Sequence, residues 1–173
     1  DGRVVVGGLD DVPFPSVDAI SPAGLLRRCP EAAQTPLVTS PALAQMAGVG
    51  QVYVKDERTR MGLGSFKALG AAYVIACDAQ SGTAKGQTYV TASAGNHGSS
   101  VAAGAAAFGA QAVIYLATTV PEAFAQRLQA IGARVERFGS TYEQSMDGAM
   151  AAAADNGWTL LSDSSWAGYM DRP

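Results

Sequence analysis

The sequence contains a single histidine and only two cysteines, and these shortages exclude several kinds of site. One histidine cannot build a multi-histidine metal centre, so we predict no metal site. Cys29 and Cys77 lie far apart, without the spacing of a zinc or redox motif. We therefore expect two ordinary thiols and no disulfide framework.

Basic residues are also scarce, and long apolar runs are missing. Lys and Arg together number 12 against 15 Asp and Glu, which gives a formal net charge of -3. Electrostatic binding to a phosphate backbone needs a basic surplus, so nucleic acid is excluded as a partner. No stretch approaches the ~20 apolar residues of a membrane span, and no basic region followed by a hydrophobic run opens the sequence. We predict a soluble, cytoplasmic protein without membrane contact.

The first 50 residues differ in composition from the rest, because they hold six of the eight prolines. We predict an irregular N-terminal arm over residues 1–50. Two short helices are expected within it, over residues 21–28 and 40–48, since each begins with a cap residue followed by a first-turn proline. The 173 residues, 48% of them hydrophobic, are enough for one globular domain with its own core.

From residue 51 onward, strand-like and helix-like segments alternate. Strands are predicted over residues 52–55, 88–91, 112–116, 134–138 and 158–161. Helices are predicted over residues 66–79, 96–108, 121–131 and 141–156. Strands separated by helical crossovers predict an α/β fold with a mostly parallel sheet and helices on both faces.

The first candidate for chemistry is Lys67, in the glycine-rich run of residues 62–70. A lone lysine is usually a solvated surface residue, but this one has unusual neighbours. The two glycines ahead of it permit unusual backbone angles, Ser65 suits a helix cap, and Phe66 is placed to shield the amine from water. Because a lysine amine attacks carbonyls only when it is deprotonated in a shielded pocket, we predict that Lys67 is a nucleophile.

A second turn, at the predicted end of a strand, carries polar groups. It consists of Ser93, Ala94, Gly95, Asn96, His97 and Gly98. Open α/β sheets bind their ligands at the carboxyl ends of parallel strands. Asn96 and the backbone N–H groups around it are candidates to hold an anion or a hydroxyl, because a helix N-terminus has free donors and a positive dipole end. We interpret His97 as a structural histidine in preference to an acid or base.

Three common enzyme motifs are missing. The glycines before Lys67 lack the third glycine of a dinucleotide-binding fingerprint, and no phosphate-binding P-loop motif occurs. No serine lies in a Gly-x-Ser-x-Gly sequence, which argues against a Ser/His/Asp hydrolase.

The residues of the two turns resemble those of pyridoxal-phosphate enzymes of the tryptophan-synthase β-subunit fold, known as fold type II. Residues 65–67 resemble the Schiff-base lysine motif, and residues 93–98 resemble the loop that binds the substrate carboxylate and the cofactor ring hydroxyl. Three longer stretches resemble the diaminopropionate ammonia-lyases in particular: residues 63–73, 112–116 and 165–169. The resemblance extends from about Tyr53 to the end of the sequence.

The resemblance implies the cofactor pyridoxal 5'-phosphate on Lys67, with its pyridinium ring as an electron sink. It implies α,β-elimination on a small amino acid: Lys67 moves the α-proton, a β-amino group leaves, and 2,3-diaminopropionate gives pyruvate and ammonia. Asn96 would contact the ring hydroxyl, while Ser93 and the amides of residues 95–98 would bind the substrate carboxylate. Asp163 matches an acidic position of the lyases and would bind a substrate amino group. An ordinary aspartate at a strand end is the alternative.

One position departs from the ammonia-lyase pattern. The lyases carry an aspartate immediately before Gly-Asn-His-Gly, where this sequence has Ala94, as serine/threonine dehydratases do. The missing acid–base group leaves the substrate and its stereochemistry open. A serine/threonine dehydratase-like enzyme is therefore the first alternative, and a non-catalytic fragment or binding module is the second.

The resemblance also implies a domain arrangement. Residues 1–50 would belong to the larger domain, and residues 51–173 would include the small domain. The C-terminal half of the family fold, with the glycine-rich phosphate loop and the partner of the ring nitrogen, lies outside the sequence, and Gly7-Gly8 is too short and too early to replace that loop. We expect weak cofactor binding by the chain alone. We also expect a homo-oligomer or a complementing C-terminal half, because an uncovered apolar surface would remain.

Overall fold

The computed structural model describes residues 16–170 and Arg172, so the start of the predicted arm, including Gly7-Gly8, lies outside the described residues. The helices described are α1 (Ile20–Leu26), α2 (Pro41–Ala47), α3 (Lys67–Gln80), α4 (Asn96–Ala107), α5 (Glu122–Ala130) and α6 (Tyr142–Asn156). The strands described are β1 (Leu37–Thr39), β2 (Tyr53–Lys55), β3 (Thr88–Ala92), β4 (Gln111–Leu116), β5 (Arg134–Arg137) and β6 (Thr159–Leu160). A 3-10 turn, Arg60–Gly62, precedes α3. None of the helices described is both long enough and apolar enough to cross a membrane.

Four strands form a parallel sheet in the order β5-β4-β3-β6. Every connection from β3 to β6 passes through a helix, with α4, α5 and α6 following in turn. Parallel strands need such crossovers, because each strand must return to the same end of the sheet before the next begins. The carboxyl ends of β3 and β6, which are neighbours, therefore lie at the same end of the sheet.

Alternate residues of each strand point to opposite faces of the sheet. Tyr89 and Ile114 are fully buried in a cluster with residues of α3, α4 and α5. Val90 and Val113 pack with α6 on the other face. The predicted α/β fold with a parallel sheet and helices on both faces is confirmed.

The antiparallel pair of β1 and β2, which are connected through α2, differs from the sequence prediction. The two strands pair antiparallel, with Val38 opposite Val54, and they stand apart from the parallel sheet. Each strand is only three residues long, and Leu37 and Tyr53 are mostly exposed. Strands this short and exposed show no apolar alternation. Residues 37–39 therefore give no strand signal, and β2 cannot be told from the parallel strands by its sequence.

The predicted helix start is found at α2 and differs at α1. Ser40 Oγ accepts a backbone N–H from the first turn of α2 at 3.4 Å, and Pro41 occupies that turn. Ser21, the predicted cap of α1, lies inside the helix, which begins at Ile20. Oδ1 of Asp18 accepts the N–H groups of both Ile20 and Ser21 instead, so an aspartate upstream satisfies these donors.

Helices α3 and α4 pack closely because a small residue lies at their contact. A Cβ on Gly104 would lie 2.8 Å from Cδ1 of Ile75, and Ile75 is fully buried in the larger apolar cluster. α3 begins with Lys67, and α4 begins with Asn96. The packing of these two helices therefore sets how far Lys67 lies from the turn of residues 93–98.

We expect Ile75→Ala to lower the free energy of unfolding by about 2–5 kcal/mol, because it leaves a cavity between α3, α4 and the sheet. Chemical denaturation followed by circular dichroism measures this change. Gln80→Ala, at an exposed position of the same helix, is the control and should change the free energy by less than about 0.5 kcal/mol. A loss below ~1 kcal/mol for Ile75→Ala would contradict the importance of this contact.

Candidate active site

Lys67 and Asp163, which lie 96 residues apart in the sequence, are brought into contact. Nζ of Lys67 donates a hydrogen bond to Oδ2 of Asp163 at 2.7 Å. The two side chains remain 36% and 32% exposed, so a small molecule can reach the pair. Lys67 begins α3, whose chain runs opposite to the strands, and Asp163 follows β6. Both therefore lie at the carboxyl end of the sheet.

The loop before Lys67 is bent by residues in the left-handed region. Met61, Gly62 and Gly64 have φ angles of 50°, 68° and 73°. Glycine adopts this conformation at little cost, whereas Met61 is strained by it. Ser65 is buried, and its Oγ accepts the N–H of Lys67 at 3.2 Å. The cap position of α3 is Phe66, so Ser65 lies one residue ahead of the cap predicted for it.

Arg60, a buried arginine, anchors this loop to the N-terminal arm. Its guanidinium donates to the Glu57 carboxylate at 2.6 Å and to Oγ1 of Thr35 at 2.8 Å. Its carbonyl accepts the N–H of Gly64 at 3.2 Å. The hydrogen bonds from Arg60 and Thr35 lower the pKa of Glu57 to about 2, so that this carboxylate stays ionised near neutral pH. The arm is thereby tied to the residues that lead into α3.

Phe66 covers the Lys67 amine from one side only. Its ring centroid lies 5.8 Å from Nζ of Lys67, within the range of a cation–π contact. The ring itself is 62% exposed. The shielded pocket predicted for the amine is therefore partial among the described residues, and the amine has a carboxylate partner there.

Residues 93–98 form a tight turn between β3 and α4. Oγ of Ser93 accepts the N–H of Gly95 at 3.2 Å. A Cβ on Gly98 would lie 2.3 Å from the carbonyl oxygen of Ser93, so only glycine fits at this position. No side chain caps the first turn of α4, and Asn96 is exposed there. Uncapped N–H groups at the positive end of a helix dipole suit an anion or a hydroxyl.

His97 connects this turn to the end of β6. The ring is buried, and its Nε2 donates to the carbonyl of Leu161 at 2.8 Å. Its Nδ1 lies 4.0 Å from Oδ2 of Asp163. The bond to a backbone carbonyl fits the structural role predicted for His97, and the other ring nitrogen faces the carboxylate that binds Lys67.

The electrostatic surroundings of Asp163 keep its carboxyl group ionised. Partial burial raises the pKa of Asp163, but the hydrogen bond from Lys67 and the charges of His97 and Lys67 outweigh it and leave the pKa below its usual value. The side chain therefore offers a fixed negative charge at neutral pH. Such a charge can bind an ammonium group of a ligand as well as it binds Lys67.

Tyr142, the first residue of α6, responds to the charges of the site, and sequence reasoning did not single it out. Burial raises the pKa of its hydroxyl, the charges of Asp163 and Glu143 raise it further, and the charge of Lys67 opposes them. The hydroxyl thus lies within electrostatic range of the Lys67–Asp163 pair. No local motif marks Tyr142, because its neighbour Thr141 serves as the helix cap and accounts for the sequence pattern there.

The structure brings the side chains of Lys67, His97 and Asp163 together. The other residues of the turn are connected to Lys67 and Asp163 through His97. Ala94 packs against the larger apolar cluster and offers no functional group. Thr91, just ahead of the turn, holds the one buried side-chain oxygen or nitrogen without a hydrogen-bond partner among the described residues. The binding roles of Ser93, Gly95, Asn96 and Gly98 stay predictions.

Comparison with curated proteins gives relatives of two kinds. The diaminopropionate ammonia-lyase of Salmonella typhimurium is 32% identical over 167 residues, covering 85% of this chain and 41% of the relative. A putative threonine dehydratase of Sinorhizobium fredii is 33% identical over 128 residues, covering 74% of this chain and 37% of the relative. The chain therefore spans about two fifths of the length of these relatives.

Comparison with solved structures agrees with these similarities. The selenomethionine-labelled holo diaminopropionate ammonia-lyase from Escherichia coli is 30% identical with a TM-score of 0.80, covering 88% of this chain and 44% of that chain. A pyridoxal 5'-phosphate-dependent aspartate racemase is 26% identical with a TM-score of 0.75, covering 88% of this chain and 47% of that chain. The family model described as pyridoxal-phosphate dependent enzyme matches residues 29–171, which include Lys67, the turn of residues 93–98 and Asp163. Because this model matches most of the chain, the chain belongs to the family of pyridoxal-phosphate-dependent enzymes.

Proposed function

We propose that this chain provides the lysine-bearing part of a pyridoxal-phosphate-dependent ammonia-lyase. The enzyme would perform α,β-elimination on a small diamino acid such as 2,3-diaminopropionate and release pyruvate and ammonia. The contact of Lys67 with Asp163, beside the turn of residues 93–98, is the observation that carries this proposal. Similarity to diaminopropionate ammonia-lyases supports the same reaction.

The residues present suit the cofactor. When bound, pyridoxal phosphate supplies an aldehyde that condenses with amines and a ring that withdraws electrons from the substrate α-carbon. Lys67 offers an amine for the aldehyde, and Asn96 offers an exposed amide for the ring hydroxyl. The close approach of Gly98 to the Ser93 carbonyl holds the N–H groups of the turn in one fixed cradle for a carboxylate.

The charge of Asp163 explains why a substrate with two amino groups is favoured. Nζ of Lys67 neutralises this carboxylate in the chain as described. Once the lysine amine is uncharged or engaged elsewhere, Asp163 has lost the cation it contacts. A β-ammonium group restores a cation at that place, whereas the β-hydroxyl of serine or threonine is neutral. Exchange of one ammonium for another therefore selects a diamino acid.

The proton transfers can be assigned to the same two side chains. Nζ of Lys67, when its amine is free, accepts the α-proton. Oδ2 of Asp163 holds the β-ammonium group, which already carries the proton with which it leaves as ammonia. The unsaturated amino acid that remains reacts with water to give pyruvate and a second ammonia, so atoms and charges balance.

Ala94 offers no acid–base group where the ammonia-lyases have an aspartate, and His97 is held by the Leu161 carbonyl, so we assign Lys67 as the base for the α-carbon. We propose that elimination occurs on the enantiomer whose α-hydrogen faces Lys67. A serine/threonine dehydratase-like reaction is the alternative, and it is favoured by Ala94 and by the similarity to a putative threonine dehydratase.

We also propose that further protein covers the apolar face behind Lys67. A cavity of about 600 Å³ lies between α1, α3 and α4, and most of its lining is apolar. Leu25, Leu63, Ala72 and Phe108 contribute to this lining. Uncovered apolar surface of this kind favours association, either with a complementing C-terminal half or with a second copy of the chain.

We expect pyridoxal phosphate followed by borohydride to label Lys67 in preference to the other two lysines, Lys55 and Lys85, because Asn96 and the turn hold the cofactor beside it. Peptide mass spectrometry identifies the modified residue. Lys67→Ala should remove the adduct, and Lys85→Ala, at an exposed position, should leave it in place. Equal labelling of all three lysines would favour a non-catalytic module.

We expect Asp163→Asn to lower kcat/KM for 2,3-diaminopropionate about 10- to 100-fold relative to serine, because a hydrogen bond to a charged group contributes about 1.5–3 kcal/mol. Steady-state kinetics of the enzyme with both substrates measures the ratio. Glu136→Gln is the control, since Glu136 pairs with Arg134 on β5. Equal losses for the two substrates would favour the dehydratase alternative.

We expect Gly98→Ala to force the turn open, because the added Cβ would lie 2.3 Å from the Ser93 carbonyl oxygen. Overpacking of this kind costs about 1–3 kcal/mol of unfolding free energy, and the affinity for pyridoxal phosphate should fall with it. Denaturation and absorbance titration measure the two effects. Gly50→Ala, where no atom lies within 4 Å of the new Cβ, should change neither. Unchanged cofactor affinity in Gly98→Ala would remove the turn from the binding site.

A further inference from the structure

The hydroxyl group of Tyr169 lies at the base of the segment that carries Asp163. The N–H of Ser162 donates to Oη of Tyr169 at 2.9 Å, and Oη donates to the carbonyl of Leu160 at 3.2 Å. Ser162 is buried and immediately precedes Asp163. One hydroxyl therefore holds two backbone groups of the peptide that leads into Asp163.

The residue between these two backbone groups is held from the other side. The N–H of Leu161 donates to the carbonyl of Val90 on β3 at 2.9 Å, and its carbonyl accepts Nε2 of His97. Strand β3, His97 of the turn of residues 93–98 and Tyr169 together fix the backbone ahead of Asp163. Tyr169 is the member of this set that lies outside both the sheet and the turn.

Tyr169 is itself held in place. Its ring stacks on Trp166, with centroids 4.4 Å apart and an interplanar angle of 16°. The two residues exchange backbone hydrogen bonds of 3.1 and 2.9 Å across a turn in which Gly168 has a φ of 86°. Beyond this turn, Arg172 pairs with Asp78 of α3 at 3.0 Å. The hydroxyl is therefore presented to β6 by a closed and anchored segment.

We propose that Tyr169 is a positioning residue that aims the Asp163 carboxylate at Lys67, and so at the β-ammonium group of the substrate. It acts through the peptide of Ser162 and is assigned no contact with the reacting atoms. The inference rests on the proposed function only for the part that concerns substrate selection.

The titration of Asp163 reports whether its carboxylate is oriented towards Lys67. Partial burial raises the pKa of this carboxyl group, and the hydrogen bond from Lys67 is the leading cause that lowers it. A carboxylate that swings away from Lys67 loses that bond. Its pKa then rises, and the midpoint of its titration measures how well Asp163 is positioned.

Tyr169→Phe tests the proposal because it removes the hydroxyl and keeps the stacked ring. A carbon NMR titration of the Asp163 carboxyl should show an upward shift of the midpoint, in the direction that Lys67→Met produces. In the double variant the midpoint should equal that of Lys67→Met alone, because the hydroxyl acts through the Lys67 bond. Tyr53→Phe is the matched control, since it removes a hydroxyl that bonds to Gln51 beside β2, away from Asp163.

An unchanged midpoint in folded Tyr169→Phe would overturn the proposal, and so would a double variant whose shift is the sum of the two single shifts. If Tyr169→Phe does not fold, Trp166→Ala takes its place, because it removes the supporting ring and keeps the hydroxyl. It too should raise the midpoint, and an unchanged midpoint there counts equally against the proposal.

This titration needs neither cofactor nor substrate, so it separates the inference from the proposed function. A raised midpoint in a chain whose Lys67 fails to take up pyridoxal phosphate would keep the positioning role and reject the lyase. In the active enzyme, Tyr169→Phe should lower kcat/KM for 2,3-diaminopropionate relative to serine, in the direction of Asp163→Asn and by a smaller factor. Equal losses for both substrates would contradict a role of Tyr169 in substrate selection.

Discussion

The parallel pairing of β3 with β6 is the constraint on which the candidate site depends. The pairing sets Val90 opposite Leu160, and two residues later along each chain Ala92 and Ser162 lead into the two loops of the site. The turn of residues 93–98 and the segment of Asp163 then leave the sheet side by side, and His97 bridges them. A slip of β6 by two residues would move Asp163 by about 7 Å, which is beyond the reach of Lys67.

In the site, the Asp163 carboxylate is a fixed anion, whereas the ammonium group that pairs with it can be exchanged. Lys67 can serve as the ion-pair partner of Asp163 or as a nucleophile, but a single amine cannot do both at once, since an ammonium has no lone pair. Under the proposed function, condensation of Nζ with the cofactor aldehyde would take from Asp163 the ammonium group with which it pairs in the free chain. The proposed function would in this way link the chemistry of the lysine to the charge of the substrate.

Sequence patterns suffice for the elements that pack on the sheet, because burial leaves periodic apolar residues in β3, β4 and α6. Lys67 and the turn of residues 93–98 can be found as well, since glycines mark the backbone that each requires. The pairing of Lys67 with Asp163 has no such local signal, because it depends on which strand lies beside β3. Tyr169 bonds to the backbone at the end of β6 only because its own turn folds back, and no spacing in the sequence identifies either Tyr169 or Tyr142.

The hydroxyl of Tyr169 also occupies backbone groups at the margin of the described sheet. Among the described strands β6 lies at an edge of the sheet, and the N–H of Leu161, which follows β6, points inward to β3. The Leu160 carbonyl and the Ser162 N–H therefore point outward, where unpaired groups of an edge recruit strands of other molecules. Tyr169 satisfies both of them. A single phenol thus occupies the two backbone groups with which an added strand would pair at this end of β6.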